Sequence, residues 1–280
     1  MKISFIVLTY NRTDALLAVL RSLARQCGID HEVLVADDGS SAAEVDMLRQ
    51  HCPAFSCPIR HVWHADMGFT AAAARNLGAH HSVGDYLVFL DGDCVPGPSF
   101  VKAHSRLAEP ACFVNGSRVL LSEQLTQRVV SQGMDLPDQS WAFWLRARLK
   151  GDSNKLLHML GWPMSWFRVQ QGFRWKGIRS CNLAVWRKDF LAVNGFDETF
   201  AGWGHEDADL VLRLSHSAVR RKNGFWATEV YHLWHPEQQR HHESVNSQKV
   251  FDRIKTHQIR AEKGLAEIEP HSSGQVTHLQ

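Results

Sequence analysis

A short apolar run, a polar loop and then a helical pattern recur along the N-terminal part of the chain, and that alternation narrows the fold more than any other feature. Ile3 to Leu8 is apolar apart from Ser4, ends in Thr9-Tyr10-Asn11-Arg12, and gives way to a helical pattern from Asp14 to Arg25. Thr13 or Asp14 suits the cap of that helix, and Leu16, Leu17, Leu20 and Leu23 fall on one face of it. Glu32 to Ala36 repeats the plan, ending in Asp37-Asp38-Gly39-Ser40-Ser41 ahead of a helix over Ala42 to His51. Ile59 to Trp63 does so again, and Asp66-Met67-Gly68-Phe69 leads into an alanine-rich helix from Thr70 to His81 that carries Arg75 and Asn76. A strand followed by a helix returns by a crossover, so successive strands run parallel and helices cover the sheet on both faces. The predicted fold class is therefore α/β, with a mostly parallel sheet flanked by helices.

The fourth apolar run, Tyr86 to Leu90, stops in Asp91-Gly92-Asp93. Ligands of open α/β sheets sit outside the carboxyl ends of the strands, the edge that also receives Thr9 to Arg12 and Asp37-Asp38. Two carboxylates so close repel one another unless a cation lies between them, and hard oxygen donors suit Mg²⁺ or Mn²⁺ carrying a phosphate. Gly92 lets a phosphate approach the backbone. An Asp-Gly-Asp after a strand also reads as an ordinary turn; the convergence of several polar strand ends on one edge is what favours a site.

At 280 residues the chain fits one large α/β domain or a domain with an extension. Lys plus Arg at 31 against Asp plus Glu at 29 supplies no global basic field, which argues against nucleic-acid binding. The six cysteines lack a C-x-x-C pair, so neither a disulfide framework nor a zinc ribbon is indicated, and a reducing cytoplasm is expected. No stretch approaches the roughly 18 apolar residues of a membrane span, so the expectation is a soluble or peripheral protein.

Further along, Phe113 to Leu121 reads as a strand. Five of the ten tryptophans (Trp141, Trp144, Trp162, Trp166, Trp175) then fall among Arg146, Arg148, Lys150, Lys155, Arg168, Arg174 and Lys176. Such a segment suits a membrane interface, or simply covers the core while its cations stay solvated. Arg179 to Arg187 reads as a strand and Lys188 to Val193 as a short helix closed by Asn194-Gly195. Glu206-Asp207 opens a helix with Leu210, Val211 and Leu214 on its apolar side, which puts both acids at its N-terminus. Ala227 to Trp234 reads as a strand ending near His232 and His235, Val250 to Glu267 as a helix, and Pro270 to Gln280 as a disordered tail.

Taken together, Ile6 to Arg12, Val35 to Ser41, the Gly68 to Asn76 segment with Ala74-Arg75-Asn76, and Asp91-Gly92-Asp93 resemble the family 2 glycosyltransferases of GT-A fold. Asn194-Gly195-Phe196-Asp197-Glu198 and Gly202 to Asp209 resemble a galactosyltransferase-type C-terminal region, with His205 standing where many relatives carry glycine. The resemblance covers residues 1–240: a nucleotide-sugar-binding half over 1–115 and an acceptor half over 116–240, the latter with a Trp-rich basic excursion at 134–176. Residues 241–280 then form a C-terminal helix and tail.

The resemblance implies a Rossmann-like GT-A sheet and an inverting, divalent-metal-dependent transferase. It would use a UDP-sugar of galactose or N-acetylhexosamine type and a glycan or lipid-linked acceptor, in bacterial-type surface polysaccharide synthesis such as lipopolysaccharide or capsule. Thr9, Tyr10, Arg12 and Asp38 would line the nucleoside pocket, with Arg75 facing the nucleotide. Asp93 would bind Mn²⁺ (or Mg²⁺), with Asp91 as ribose or outer partner of the metal, His235 as a further ligand and His232 as the alternative histidine. Asp207 would be the base and Glu206 its neighbour, while Trp203 stacks on a sugar ring and Asn182 contacts the donor sugar. A catalytically silent sugar-nucleotide or glycan-binding module is the competing reading. A nucleotidyltransferase would want a glycine-rich basic loop after the first strand, which Thr9 to Arg12 does not supply.

Overall fold

The computed structural model describes residues 1–156, 161, 167–170, 172–174, 177–200, 202, 204–236, 243–268 and 274–279. The alternation read from the sequence appears as β1 (Ile3–Thr9), α1 (Thr13–Ala24), β2 (His31–Asp37), α2 (Ala42–His51), β3 (Ile59–Trp63), α3 (Ala71–His80) and β4 (Tyr86–Asp91). β1 pairs in parallel with both β2 and β4, and β2 with β3. The chain thus moves outward from β1 in one direction and then returns to its other side, which creates a topological switch point between β1 and β4, where a crevice opens beyond the strand ends.

Strand alternation sends side chains into two cores. Phe5 and Val7 of β1 and Tyr86, Val88 and Leu90 of β4 join Leu16 and Leu20 of α1 on one face. Ile6, Leu87 and Phe89 join the helices of the opposite face. Phe89 is fully buried with its ring 5.1 Å from both Phe190 and Phe196, a packing whose truncation to alanine costs about 3–5 kcal/mol.

Beyond β4 come β5 (Cys94–Pro96), α4 (Phe100–Leu107), β6 (Cys112–Asn115), β7 (Ser117–Leu120), α5 (Glu123–Gln132) and α6 (Trp141–Lys150). β8 (Asn182–Trp186), α7 (Arg187–Ala192), α8 (Glu206–His216), β9 (Arg220–Asn223), β10 (Glu229–His232), α9 (Glu243–Thr256) and β11 (Gln275–His278) complete the described elements. The large sheet has the order β11-β3-β2-β1-β4-β8-β6-β9, and a small sheet the order β5-β10-β7. The architecture is the expected α/β one, a large, mostly parallel central sheet between helices.

Several expectations are corrected. The single strand over Phe113 to Leu121 is two strands, because the chain leaves the large sheet at Gly116, where a Cβ would meet the Asn182 side chain at 2.1 Å. β9 carries the charged sequence Arg-Arg-Lys-Asn and escaped any apolar pattern. The helix expected over Val250 to Glu267 lies earlier, at Glu243–Thr256, followed by a 3-10 turn at Leu265–Glu267. The tail is not wholly disordered: Gln275–His278 adds to the otherwise open edge of β3 in antiparallel fashion, satisfying backbone groups that an edge strand leaves free.

The C-terminal segment is also stitched to the domain by charge. Arg253 of α9 is buried and donates to Asp197 (2.7 Å), Asp209 and Glu262 (2.9 Å), while Arg213 donates from Nε to Asp209 (2.8 Å). Residues 243–268 therefore belong to the same folded unit rather than hanging from it.

Candidate active site

A cleft of about 1660 Å³ opens at the switch point, lined by the loops after β1 and β4, the start of α3 and the N-terminus of α8. Thr9, Tyr10, Arg12, Asp38, Arg75, Asp91, Gly92, Asp93, Glu206, Asp207 and His235 all line it, so sites far apart in sequence meet as expected. The β1 and β2 loops are laced together. Asp38 N–H donates to Thr9 O (2.9 Å), Asn11 N–H to Ser40 Oγ (2.8 Å), and Ser41 N–H to Asn11 Oδ1 (2.8 Å). Gly39, at φ +98°, sits where a Cβ would meet the Asp66 backbone at 2.5 Å, so this turn admits only glycine without rearrangement.

Asp38 holds the start of α3 by accepting from Thr70 N–H (2.9 Å) and the Thr70 hydroxyl, with His64 Nε2 at 3.2 Å. A carboxylate has about four lone-pair sites, so acceptor capacity remains for a nucleobase N–H. Tyr10 donates its hydroxyl to Asp66 (2.9 Å), leaving its ring face on the cleft.

At the β4 end, Gly92 N–H donates to Leu8 O at 2.7 Å, and a Cβ there would lie 2.8 Å from that oxygen. Asp91 and Asp93 diverge from this pinch. Asp91 accepts from Arg75 Nη2 (2.8 Å), and the other terminal nitrogen of Arg75 reaches Glu206 (3.4 Å). Arg75 is buried, with its guanidinium over Phe196, so it is the tie between the β4 end and α8 rather than a helix-surface cation. Its neighbour Asn76 completes the tie, donating to Phe196 O (2.8 Å) and accepting from Phe196 N–H (2.9 Å).

Asp93 meets the histidines instead. Its carboxylate lies 3.3 Å from His235 Nε2 and 3.9 Å from His232 Nε2. The small sheet brings them there: His232 pairs with Cys94, and Leu233 N–H donates to Asp93 O at 2.8 Å. Burial lowers the His232 pKa, opposed by Asp93 and reinforced by the charge of Arg118, which favours the neutral imidazole that a metal requires. Asp93, Cys94 and His232 offer ligand atoms within 4.8 Å of one another. Burial also pushes the Cys94 thiol well up, so it stays protonated, and it donates to Asp93 (3.4 Å). A carboxylate with one or two imidazoles suits Mn²⁺ better than Mg²⁺. His235 is the nearer histidine and faces the cleft, whereas His232 does not line it.

Glu206 and Asp207 begin α8 as read from the sequence, entered through His205 at φ +71°. That left-handed conformation favours glycine, so His205 accepts backbone strain there. Asp207 accepts from Ser180 N–H (3.2 Å) and Ala208 N–H (2.7 Å). Its burial, with the charge of Glu206 adding, raises its pKa to about 7, against the lowering by these N–H groups and Arg75. A carboxyl poised there suits proton transfer near neutrality.

Asn182 is corrected: it is buried on β8, donates to Ser117 O (3.1 Å) and Thr228 O, and lies 3.2 Å from His104 Nε2, so its amide is fully engaged away from the cleft. Trp203 lies outside the described residues. So do Trp162, Trp166, Trp175 and Lys176 of the basic excursion. Trp144 is core, fully buried and stacked on Tyr231 at 4.6 Å. Sequence reasoning missed Arg118, Arg179, Glu198, Met67 and Phe69, which also line the cleft. Of these, Phe69 and Glu198 carried a signal, since they stand within the Gly68 to Asn76 and Asn194 to Glu198 segments.

The family profile for glycosyl transferase family 2 matches residues 4–170. The chain belongs to glycosyl transferase family 2. A second profile, described as the N-terminal domain of galactosyltransferase, matches residues 168–236 of this family 2 chain. It is 32% identical over 231 residues to validoxylamine A glucosyltransferase of Streptomyces hygroscopicus subsp. jinggangensis, covering 76% of this chain and 51% of the relative. It is 26% identical over 227 residues to chondroitin synthase of Escherichia coli, covering 76% and 32%. The family 2 chain thus spans about half or less of the length of these curated relatives. Among solved structures, S. aureus TarS 1-349 in complex with UDP-GlcNAc matches with TM-score 0.57 at 15% identity, over 95% of this chain and 69% of that one. Mannosyltransferase PcManGT from Pyrobaculum calidifontis, in complex with GDP-Man and Mn²⁺, matches with TM-score 0.54 at 15% identity, over 97% and 68%. These likenesses show the GT-A fold.

Proposed function

We propose that this family 2 glycosyltransferase moves a sugar of galactose or N-acetylhexosamine type from a UDP-sugar to a glycan or lipid-linked acceptor by a single inverting displacement. The observation that carries the reading is Asp207, with its pKa raised to about 7, facing the same cleft as the Asp93–His235 pair. Asp207 takes the proton of the acceptor hydroxyl, the oxygen attacks the anomeric carbon from the face opposite the diphosphate, and the bond from that carbon to the phosphate oxygen breaks. Thr9, Tyr10, Arg12 and Asp38 hold the uridine. Arg75 holds Asp91 and Glu206 in place. Asp93 and His235 would bind the divalent cation, whose chemistry is to offset the charge developing on the leaving diphosphate.

The acceptor's setting is read as bacterial-type surface polysaccharide synthesis, with support from the chondroitin synthase likeness. Peripheral membrane contact through 141–176 belongs to the same proposal. On α6, Trp141, Leu145 and Leu149 are exposed at i, i+4 and i+8 beside exposed Arg146, Arg148 and Lys150, a combination that suits an anionic lipid surface. No described helix is long and apolar enough to cross a membrane. The test is a donor screen following nucleoside diphosphate release with and without Mn²⁺. Release from a UDP-sugar that needs Mn²⁺ and vanishes in Asp93→Ala is expected. Metal-independent release, or unchanged Mn²⁺-dependent UDP affinity in Asp93→Ala, overturns the metal assignment.

A further inference from the structure

Among the described residues, the Arg and Lys side chains lining the cleft are Arg12, Arg75, Arg118, Arg179 and Lys263. Three of these are answered by carboxylates: Arg12 lies 3.6 Å from Asp14, Arg75 holds Asp91 and Glu206, and Lys263 lies 3.3 Å from Glu198. Among the described residues, Arg118 and Arg179 have neither an ion pair nor a side-chain hydrogen bond. Arg118 is half-buried, so its charge is partly stripped of water without a protein partner.

Both come from one corner of the fold. Gly116 N–H donates to Asn182 O (2.8 Å) and Arg179 N–H to Asn115 Oδ1 (3.4 Å), which laces the approach to β7 onto the loop before β8. Arg118 lies on β7, whose partner strand β10 ends at His232 beside Asp93, and Arg179 immediately precedes Ser180, whose N–H holds Asp207. Both residues line the cleft, Arg118 from the small-sheet side that carries the histidines and Arg179 from the loop whose next residue holds the base. The nucleoside end of the cleft, at Thr9 and Asp38, lies on other strands.

We propose that Arg118 and Arg179 form an anion subsite that takes a carboxylate or phosphate carried by one of the two sugar substrates. The inference rests on the glycosyl-transfer reading and deepens it. A planar guanidinium fork matches either oxyanion in bidentate fashion, which a neutral sugar cannot exploit.

The source of the charge is separated by two titration arms, each with wild type, Arg118→Gln, Arg179→Gln and the lysine variant at each position. The donor arm compares UDP-glucuronate with UDP-glucose in Mn²⁺, with UDP alone as the reference. The acceptor arm compares glucose 6-phosphate and methyl glucuronoside with methyl glucoside, on protein already holding UDP and Mn²⁺. In one arm the charged ligand should bind about tenfold or more tightly than its neutral counterpart. Either glutamine variant should erase that preference while leaving UDP affinity and the melting temperature unchanged, and the lysine variants should retain part of it. Equal affinity in both arms, a preference that survives both glutamine variants, or a parallel loss of UDP itself overturns the subsite. Failure of the wild type to bind UDP with Mn²⁺ would instead overturn the glycosyl-transfer reading beneath it.

Discussion

The two walls of the cleft are held in place by different physics. On the β1, β2 and β4 side, each functional group follows its own strand by a residue or two, and the parallel ladder that sets Leu8 opposite Asp91 sets the groups in register. On the other side, Glu206, Asp207, His232 and His235 come from separate segments and are positioned by single long-range bonds. These are Arg75 to Glu206, Ser180 N–H to Asp207 and Leu233 N–H to Asp93 O, with α8 clamped from behind by Arg253. The first wall is a by-product of sheet formation, whereas the second depends on a few buried polar contacts, each costly to lose.

The largest expected effect tests the second wall at its reacting group. Asp207→Asn should keep UDP binding and lose transfer by about 10²–10⁴-fold, as for a missing base. Because the base acts ionised and its pKa is raised to about 7, wild-type kcat/KM should fall as pH drops below that value, and the variant should lose this acid limb. Near-normal turnover in Asp207→Asn with collapse in Glu206→Gln would move the role one residue back.

Arg253→Ala probes the clamp. It leaves Asp197 buried without its cationic partner and Asp209 with Arg213 alone, and breaking such a pair costs about 3–5 kcal/mol, read in urea unfolding. If the walls differ as described, this variant should also lose more turnover than UDP affinity; equal losses would show that the two walls are coupled.

A smaller effect sharpens the seam between the walls. His235→Ala should weaken Mn²⁺ binding by about tenfold and more than His232→Ala, since other ligands and water can hold the ion. The reverse ranking by titration would exchange the two histidines. Smallest per side chain, replacing Arg146, Arg148 and Lys150 by Gln should weaken association with anionic vesicles by about 1 kcal/mol per engaged cation. Equal recovery on neutral and anionic vesicles would return α6 to a role as core cover.

The difference between the walls also explains what could be read without a structure. Strand ends are legible because continuous apolar runs are short and their last residue is adjacent in sequence to the group it delivers, so the edge that the runs define is the one where Thr9, Asp38, Asp91 and Asp93 line the cleft. Glu206 and Asp207 were legible as a helix start, though what makes Asp207 an acid near neutrality is burial, which has no sequence signature. Burial also decides Asn182: the resemblance implies a contact with the donor sugar, whereas Ser117, Thr228 and His104 consume its amide inside the core.

The amino-acid sequence by itself determined the βα alternation, hence a parallel sheet and a crevice at its carboxyl edge, because local periodicity and crossover geometry leave few alternatives. Only the tertiary structure decided which distant groups meet that edge. The pairing of β10 with β5 delivers the histidines to Asp93, and the buried Arg75 joins β4 to α8. Arg118 and Arg179, unanswered among the described residues, line the same cleft, and the tail closes the β3 edge as a strand. Such contacts bridge long stretches of chain, and their energies depend on desolvation and partner geometry, quantities that exist only once the chain has folded.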